Sequence, residues 1–133
     1  MLRYLLDTNA LIALLRGRAD PVSRRIRDRD PAVIGISAIA MHELYYGAFR
    51  SQRIERNLEV VDGLLLDVIQ FDRDDARESG AVRAELAARG TAIGPFDVLM
   101  AGQARGRGLV LVTANTREFL RVDGLSVEDW SRP

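Results

Sequence analysis

Cysteine is absent from the 133 residues, which excludes disulfides, thiolate metal sites and cysteine nucleophiles. Lysine is absent as well, since all nineteen basic side chains are arginine. Every mechanism that needs an amine falls with it, including the Gly-Lys phosphate cradle of a Walker loop. His42 is the only histidine, so a pair of imidazoles acting as base and acid is unavailable. No Gly-x-Ser-x-Gly elbow for a hydrolase serine occurs. Neither sign of charge is in excess, with nineteen acidic residues against nineteen basic ones. A polyanion must therefore be met locally and not by bulk charge. No apolar run approaches the roughly 20 residues of a transmembrane helix. The apolar stretch Ala10–Leu15 behind Arg3 has a faint look of a signal peptide, but Asp7 and Asn9 interrupt it, and a cytoplasmic chain with no membrane partner is expected. Without repeats or low-complexity tracts, residues 1–133 are expected to form one domain with a sizeable core.

What is present alternates short apolar runs with amphipathic ones. Leu2–Leu6 reads as a buried strand that stops at Asp7, and Asn9–Arg16 as a helix ending at Gly17. Asp20-Pro21 restarts helix with a cap and a proline at the first position. The six arginines between Arg16 and Arg29 are either a solvated helix face or a rim that contacts phosphates. Ala32–Ile36 reads as a second strand, and Ser37 caps a helix over Ala38–Phe49 whose Ile39, Met41, Leu44, Tyr45, Tyr46 and Phe49 surround its circumference. Such a helix implies burial on several sides, part of it against another chain. A helix over residues 52–65, a strand over Leu66–Phe71 and a helix over Arg73–Arg89 follow, the last capped by Asp72. Gly94-Pro95 opens a helix to about Arg105, and Leu109–Val112 and Leu125–Val127 complete the strands, with Trp130 as a plug. This alternation predicts an α/β fold with a mostly parallel central sheet of 4–5 strands, whose carboxyl ends share one edge.

Four features converge on that edge. Asp7 ends the first strand, where it is a ligand to something or the N-cap of the next helix. Glu43 shares a helical stripe with apolar and small residues, where burial demands a partner, unless it sits at the stripe's edge. Asp97 lies in the first turn of its helix, for the dipole or for a site. Thr113-Ala114-Asn115 ends the fourth strand. His42 lies about 100° around the helix from Glu43 and is structural or peripheral. Acids from separate elements are tolerable in a small volume if a divalent cation neutralises them, and oxygen-only ligands match Mg²⁺ or Mn²⁺. The corresponding chemistry is metal-assisted phosphodiester hydrolysis.

In order along the chain, Leu6-Asp7-Thr8-Asn9, Ser37 with Glu43-Leu44 and Gly47, Ile93-Gly94-Pro95-Phe96-Asp97, and Leu111-Val112-Thr113-Ala114-Asn115 with Phe119, Gly124-Leu125 and Trp130 resemble the motifs of PIN-domain ribonucleases. The likeness is greatest to the VapC toxins of bacterial toxin–antitoxin pairs and spans essentially the whole chain. The resemblance implies an α/β/α sandwich and an acidic Mg²⁺/Mn²⁺ site that cuts RNA, with Asp7, Glu43 and Asp97 as metal ligands. It further implies Thr113 as a hydroxyl lining the site and Asn9 as the polar residue after the first acid. Where many members carry a fourth acid this chain has Asn115, so either a second metal binds less firmly or Glu118 reaches in from the next turn. A homodimer, a hetero-oligomer with a VapB-type antitoxin and an RNA substrate are also implied.

Two other classes are weighed beside this one. A phosphoacceptor signalling domain also places an Asp at a strand end with Mg²⁺, but the lysine such domains use is missing. A non-catalytic binding module, acting through its antitoxin partner and perhaps on DNA, is the reading in which Asn115 has cost activity.

Overall fold

The computed structural model describes residues 1–133. Five strands, β1 (Tyr4–Leu6), β2 (Ile34–Ser37), β3 (Asp67–Ile69), β4 (Val110–Val112) and β5 (Ser126–Glu128), form one sheet in the order β3-β2-β1-β4-β5, with every pairing parallel. Seven helices connect and follow them: α1 (Thr8–Leu15), α2 (Pro21–Arg27), α3 (Ala38–Arg50), α4 (Ile54–Asp62), α5 (Arg73–Ala88), α6 (Pro95–Arg107) and α7 (Thr116–Phe119). The expected α/β class and parallel sheet are thus observed.

Alternation along β1 and β4 divides the core between the two sheet faces, because successive strand residues point to opposite sides. Tyr4, Leu6 and Val112 pack with residues of α1 to α4 and with Trp130. Leu5 and Leu111 pack against α5, α6 and Phe119 of α7. Helices on both faces produce the α/β/α sandwich. Close approach of α5 to α6 depends on Gly102, where an added Cβ would lie 2.3 Å from Ser79 Cα. On the same side Arg107 grips the buried Asp75 through Nε and Nη2, both at 2.9 Å.

The strands are shorter than their apolar runs. Ala32 and Val33 lie outside β2, in a 3₁₀ turn at Pro31–Val33 whose N-cap Asp30 accepts from the Ala32 amide. The turn repeats the Asp-Pro start of α2, where Asp20 accepts from Val22. The helix expected over residues 52–65 is confined to α4, and Leu66 and Gln70 flank β3 without belonging to it. Of the six arginines between Arg16 and Arg29, Arg25 bonds the Arg132 carbonyl, Arg27 bonds Ser23, and Arg29 bonds the Arg25 carbonyl and lies 4.1 Å over the Trp130 ring. Those three tie down the helix and the C-terminal segment. Helix α3 is buried through Ala40, Met41, Leu44 and Ala48, while Tyr46 and Phe49 stay exposed. His42 is exposed against the Phe96 ring, with centroids 5.5 Å apart. No helix is long and apolar enough to cross a membrane.

Candidate active site

Strand order reverses between β1 and β4, because the chain builds outward from β1 to β3 and then returns to β1's other side. The crevice beyond the carboxyl ends at such a reversal is where open parallel sheets hold ligands. Asp7 follows β1 and Thr113 follows β4, so the two flank that crevice. Ser37 stands next in register to Asp7, one residue beyond the Leu6–Ile36 pair, and its buried hydroxyl caps α3 by accepting from the Ile39 amide at 3.1 Å.

Asp7 is a cap and a site residue together. One carboxylate oxygen accepts from the Ala10 amide at 2.8 Å, starting α1. The side chain also lies beside Thr113 and feels the charges of Asp97 and Glu43. Burial is the main reason its pKa is pushed up to about 6; the neighbouring Thr113 side chain and the Ala10 amide pull it down, and the two neighbouring carboxylates push it up again. Asp97, in the first turn of α6, is likewise pushed up to about 6, first by burial, then by the nearby carboxylates of Glu118 and Glu43. Gly94 leaves room for it: a Cβ there would stand 3.0 Å from Asp97 Oδ2.

The remaining acids are held by hydroxyl and amide donors. Glu43 accepts from the Thr8 hydroxyl at 2.9 Å. Glu118 accepts from the Asn115 side-chain amide at 2.9 Å, while the Asn115 backbone amide donates to the Thr113 hydroxyl at 2.9 Å. Asn115 therefore orients an acid, and the fourth carboxylate at this edge is Glu118, one turn along α7. Of the residues singled out from sequence, Asp7, Glu43, Asp97, Thr113, Asn115 and Glu118 come together. Ser37 lies beside them, engaged in its cap. Asn9 is exposed, bonds none of the acids, and lines a neighbouring cavity. Thr8 and Gly94 stand in the sequence motifs without a role of their own. Their partners lie on helix α3 and one turn along α6, and nothing local in the sequence marks a threonine as the donor to a glutamate 35 residues away.

Chemically the edge is a set of four carboxylates without a compensating cation. The ion pairs of the protein engage Asp20, Asp72, Asp75, Glu78, Glu85, Asp123 and Asp129, and none of the four site acids. In a chain with nineteen arginines, that leaves repulsion at the site unrelieved by the protein itself. A hard divalent cation, which prefers oxygen ligands, matches this donor set. No three of the acids form a ready-made cage; Glu43 is drawn toward Thr8 and Glu118 toward Asn115.

Residues 4–125 match the PIN domain family, whose ribonucleases generally use divalent metals. The chain is 46% identical over 133 residues to the tRNA(fMet)-specific endonuclease VapC of Shigella flexneri, an alignment covering 98% of this chain and 100% of that protein. A chain in the DNA-bound VapBC structure from Salmonella typhimurium superposes with a TM-score of 0.92 and 43% identity, covering 98% of this chain and 99% of that one. VapBC2 from Rickettsia felis, bound to a DNA fragment from its promoter, superposes with a TM-score of 0.87 and 31% identity, covering 97% and 99%. The chain belongs to the PIN-domain family and, within it, to the VapC ribonucleases.

Proposed function

We propose that the protein is a divalent-metal-dependent endoribonuclease, the toxin of a VapBC-type pair, working in the cytoplasm as one catalytic unit of 133 residues. The observation that carries the reading is the group of unpaired acids at the β1/β4 crevice, two of them with pKa values raised to about 6. Asp7, Asp97 and Glu43, with Glu118 in support, would hold Mg²⁺ or Mn²⁺. The cation, when bound, supplies positive charge that polarises the phosphodiester and eases ionisation of the attacking water. The Ala10 amide fixes the Asp7 carboxylate, Thr8 fixes Glu43, and Asn115 fixes Glu118. Asp97, in the first turn of α6 and under the charges of Glu118 and Glu43, completes the set of acids that would hold the cation.

The names of the relatives favour a tRNA as the first substrate to try. The exposed rings of Tyr46, Phe49 and Phe96 form an apolar face suited to a second copy or to a VapB-type antitoxin, and the solved relatives are VapBC complexes. The binding-module reading loses its motive, because Glu118 restores the acid that Asn115 lacks. Purified without its partner, the protein should cut initiator tRNA with Mg²⁺ or Mn²⁺ and fall silent with EDTA or with Glu43→Gln. Cleavage that persists in EDTA rules out the metal mechanism, and cleavage that persists in the Glu43 variant rules out this site.

A further inference from the structure

Beside the carboxylates lies a cavity of about 350 Å³, bounded by α1, the start of α2 and the segment after β5. Its wall includes Thr113, which follows β4 beside Asp7 at the end of β1, so the cavity borders the acidic crevice. We propose that this cavity is a nucleotide subsite that receives the base next to the scissile phosphate and sets the sequence preference of cleavage. The inference rests on the endoribonuclease reading above.

Size and lining support that occupant. Pockets for small ligands begin at about 300 Å³, so one unstacked nucleotide fits and a duplex does not. Sequence-specific readers of RNA take splayed-out single-stranded bases in this manner, combining an apolar surface with a few donors and acceptors. Here Ile12, Ala114 and Trp130 supply apolar wall, and Asn9, Arg16 and Ser131 supply polar groups. Asn9 is exposed and its side-chain amide, able both to donate and to accept, is bonded to nothing within the protein. Arg16 has 69% of its side chain exposed and only a long contact of 4.0 Å to Asp20. That leaves its planar guanidinium available to stack on a base or meet a phosphate. Of the two acids in the lining, Asp129 pairs with Arg132 at 3.4 Å and Asp20 is engaged by the Val22 amide as the cap of α2.

The test uses the full chain with Mg²⁺ and an end-labelled initiator tRNA, or whichever RNA it cuts, to map the scissile bond. The two flanking nucleotides are then made abasic one at a time, and each is varied through the four bases. One abasic substitution should slow the wild type at least about tenfold, the scale of a single lost base contact. Ser131→Trp, which plugs the mouth, should slow the intact RNA comparably and abolish the difference between intact and abasic RNA. Asn9→Leu, at an exposed position, should alter the ranking of the four bases even if the plugged variant fails to fold. Wild-type indifference to both abasic changes overturns the proposal, as does an unchanged ranking in Asn9→Leu. Unaltered RNA discrimination with weakened antitoxin binding in these variants assigns the cavity to a protein partner and also overturns it. A wild type that cuts no RNA overturns the endoribonuclease reading itself, a result distinct from the others.

Discussion

Replacing Asp7 by Asn should inactivate the protein and stabilise it. Burial and the nearby Asp97 and Glu43 charges raise the Asp7 pKa from its ordinary 3.8 to about 6. The folded state therefore holds a proton that the unfolded chain has already released. Below about pH 4 the carboxyl is protonated in both states and its ionisation costs nothing. Between about pH 4 and 6 the unfolded chain binds fewer protons than the folded one, so stability falls as pH rises. Above about 6 the full cost is present. A rise of this size is about two decades in proton affinity, hence about 3 kcal/mol as an upper bound. Asn removes the charge but keeps the shape, caps a helix about as well as Asp, and still accepts from the Ala10 amide. Allowing for the weaker hydrogen bonds to a neutral acceptor, the gain should be about 2 kcal/mol at pH 7.5 in EDTA. For a chain of this length that raises Tm by roughly 6–10 °C. Asp7→Ala, which loses the cap, should fall about 1 kcal/mol below Asp7→Asn. Thermal melts followed by circular dichroism between pH 4 and 8 decide the matter. A Tm for Asp7→Asn equal to or below wild type at pH 7.5, or a gain that does not shrink toward pH 4, would refute the reasoning.

Three further outcomes are expected. Cation-induced stabilisation should be small at pH 5 and large at pH 7.5, because Asp7 and Asp97, both titrating near 6, must lose protons before they ligate; Tm shifts on adding Mg²⁺ or Mn²⁺ read this, and a shift equal at both pH values contradicts it. Thr8→Val removes the hydroxyl that holds Glu43 and should lower kcat about tenfold, an effect of about 1.4 kcal/mol, with Thr8→Ser restoring it; a rate unchanged in the valine variant shows that Glu43 is held otherwise. Gly102→Ala forces a Cβ against Ser79 and should cost about 2–3 kcal/mol by overpacking, whereas Gly80→Ala, on the exposed side of α5 with nothing within 4 Å, should gain about 0.5–1 kcal/mol; urea midpoints that move together for both contradict the close α5–α6 approach.

Much of the layer order was legible because the hydrophobic period changes between elements. The runs Leu2–Leu6, Ala32–Ile36 and Leu109–Val112 carry no charge except Arg3, as suits strands covered on both faces. What was not legible is where pairing stops. Leu2 is as apolar as Leu5, yet β1 begins at Tyr4, since a ladder ends where its partner ends. Residues 32 and 33 look like strand by composition, but Asp30-Pro31 imposes a capped turn on them. That signal was present in the chain and identical in kind to Asp20-Pro21. Apolar character around α3 was visible too, but only packing distinguishes buried Met41 and Leu44 from exposed Tyr46 and Phe49.

The site was legible as residue types and illegible as pairings. A carboxylate at a strand end presents two readings from sequence, helix cap or ligand, and they seem to compete. In the structure they are one arrangement: the Asp7 oxygen that accepts from Ala10 anchors the side chain, and this anchoring is what keeps a carboxylate buried beside Asp97 and Glu43 when repulsion would turn it outward. The same logic extends to the other acids. Glu43 and Glu118 each spend an oxygen on a neutral donor, Thr8 or Asn115, and neutral donors restrain a carboxylate without cancelling its charge. An arginine in either place would have quenched the field on which a cation depends. Asn115, which by type is the loss of an acid, is by position the group that holds one, so the charge count of the crevice is kept while its geometry is shifted one helical turn to Glu118.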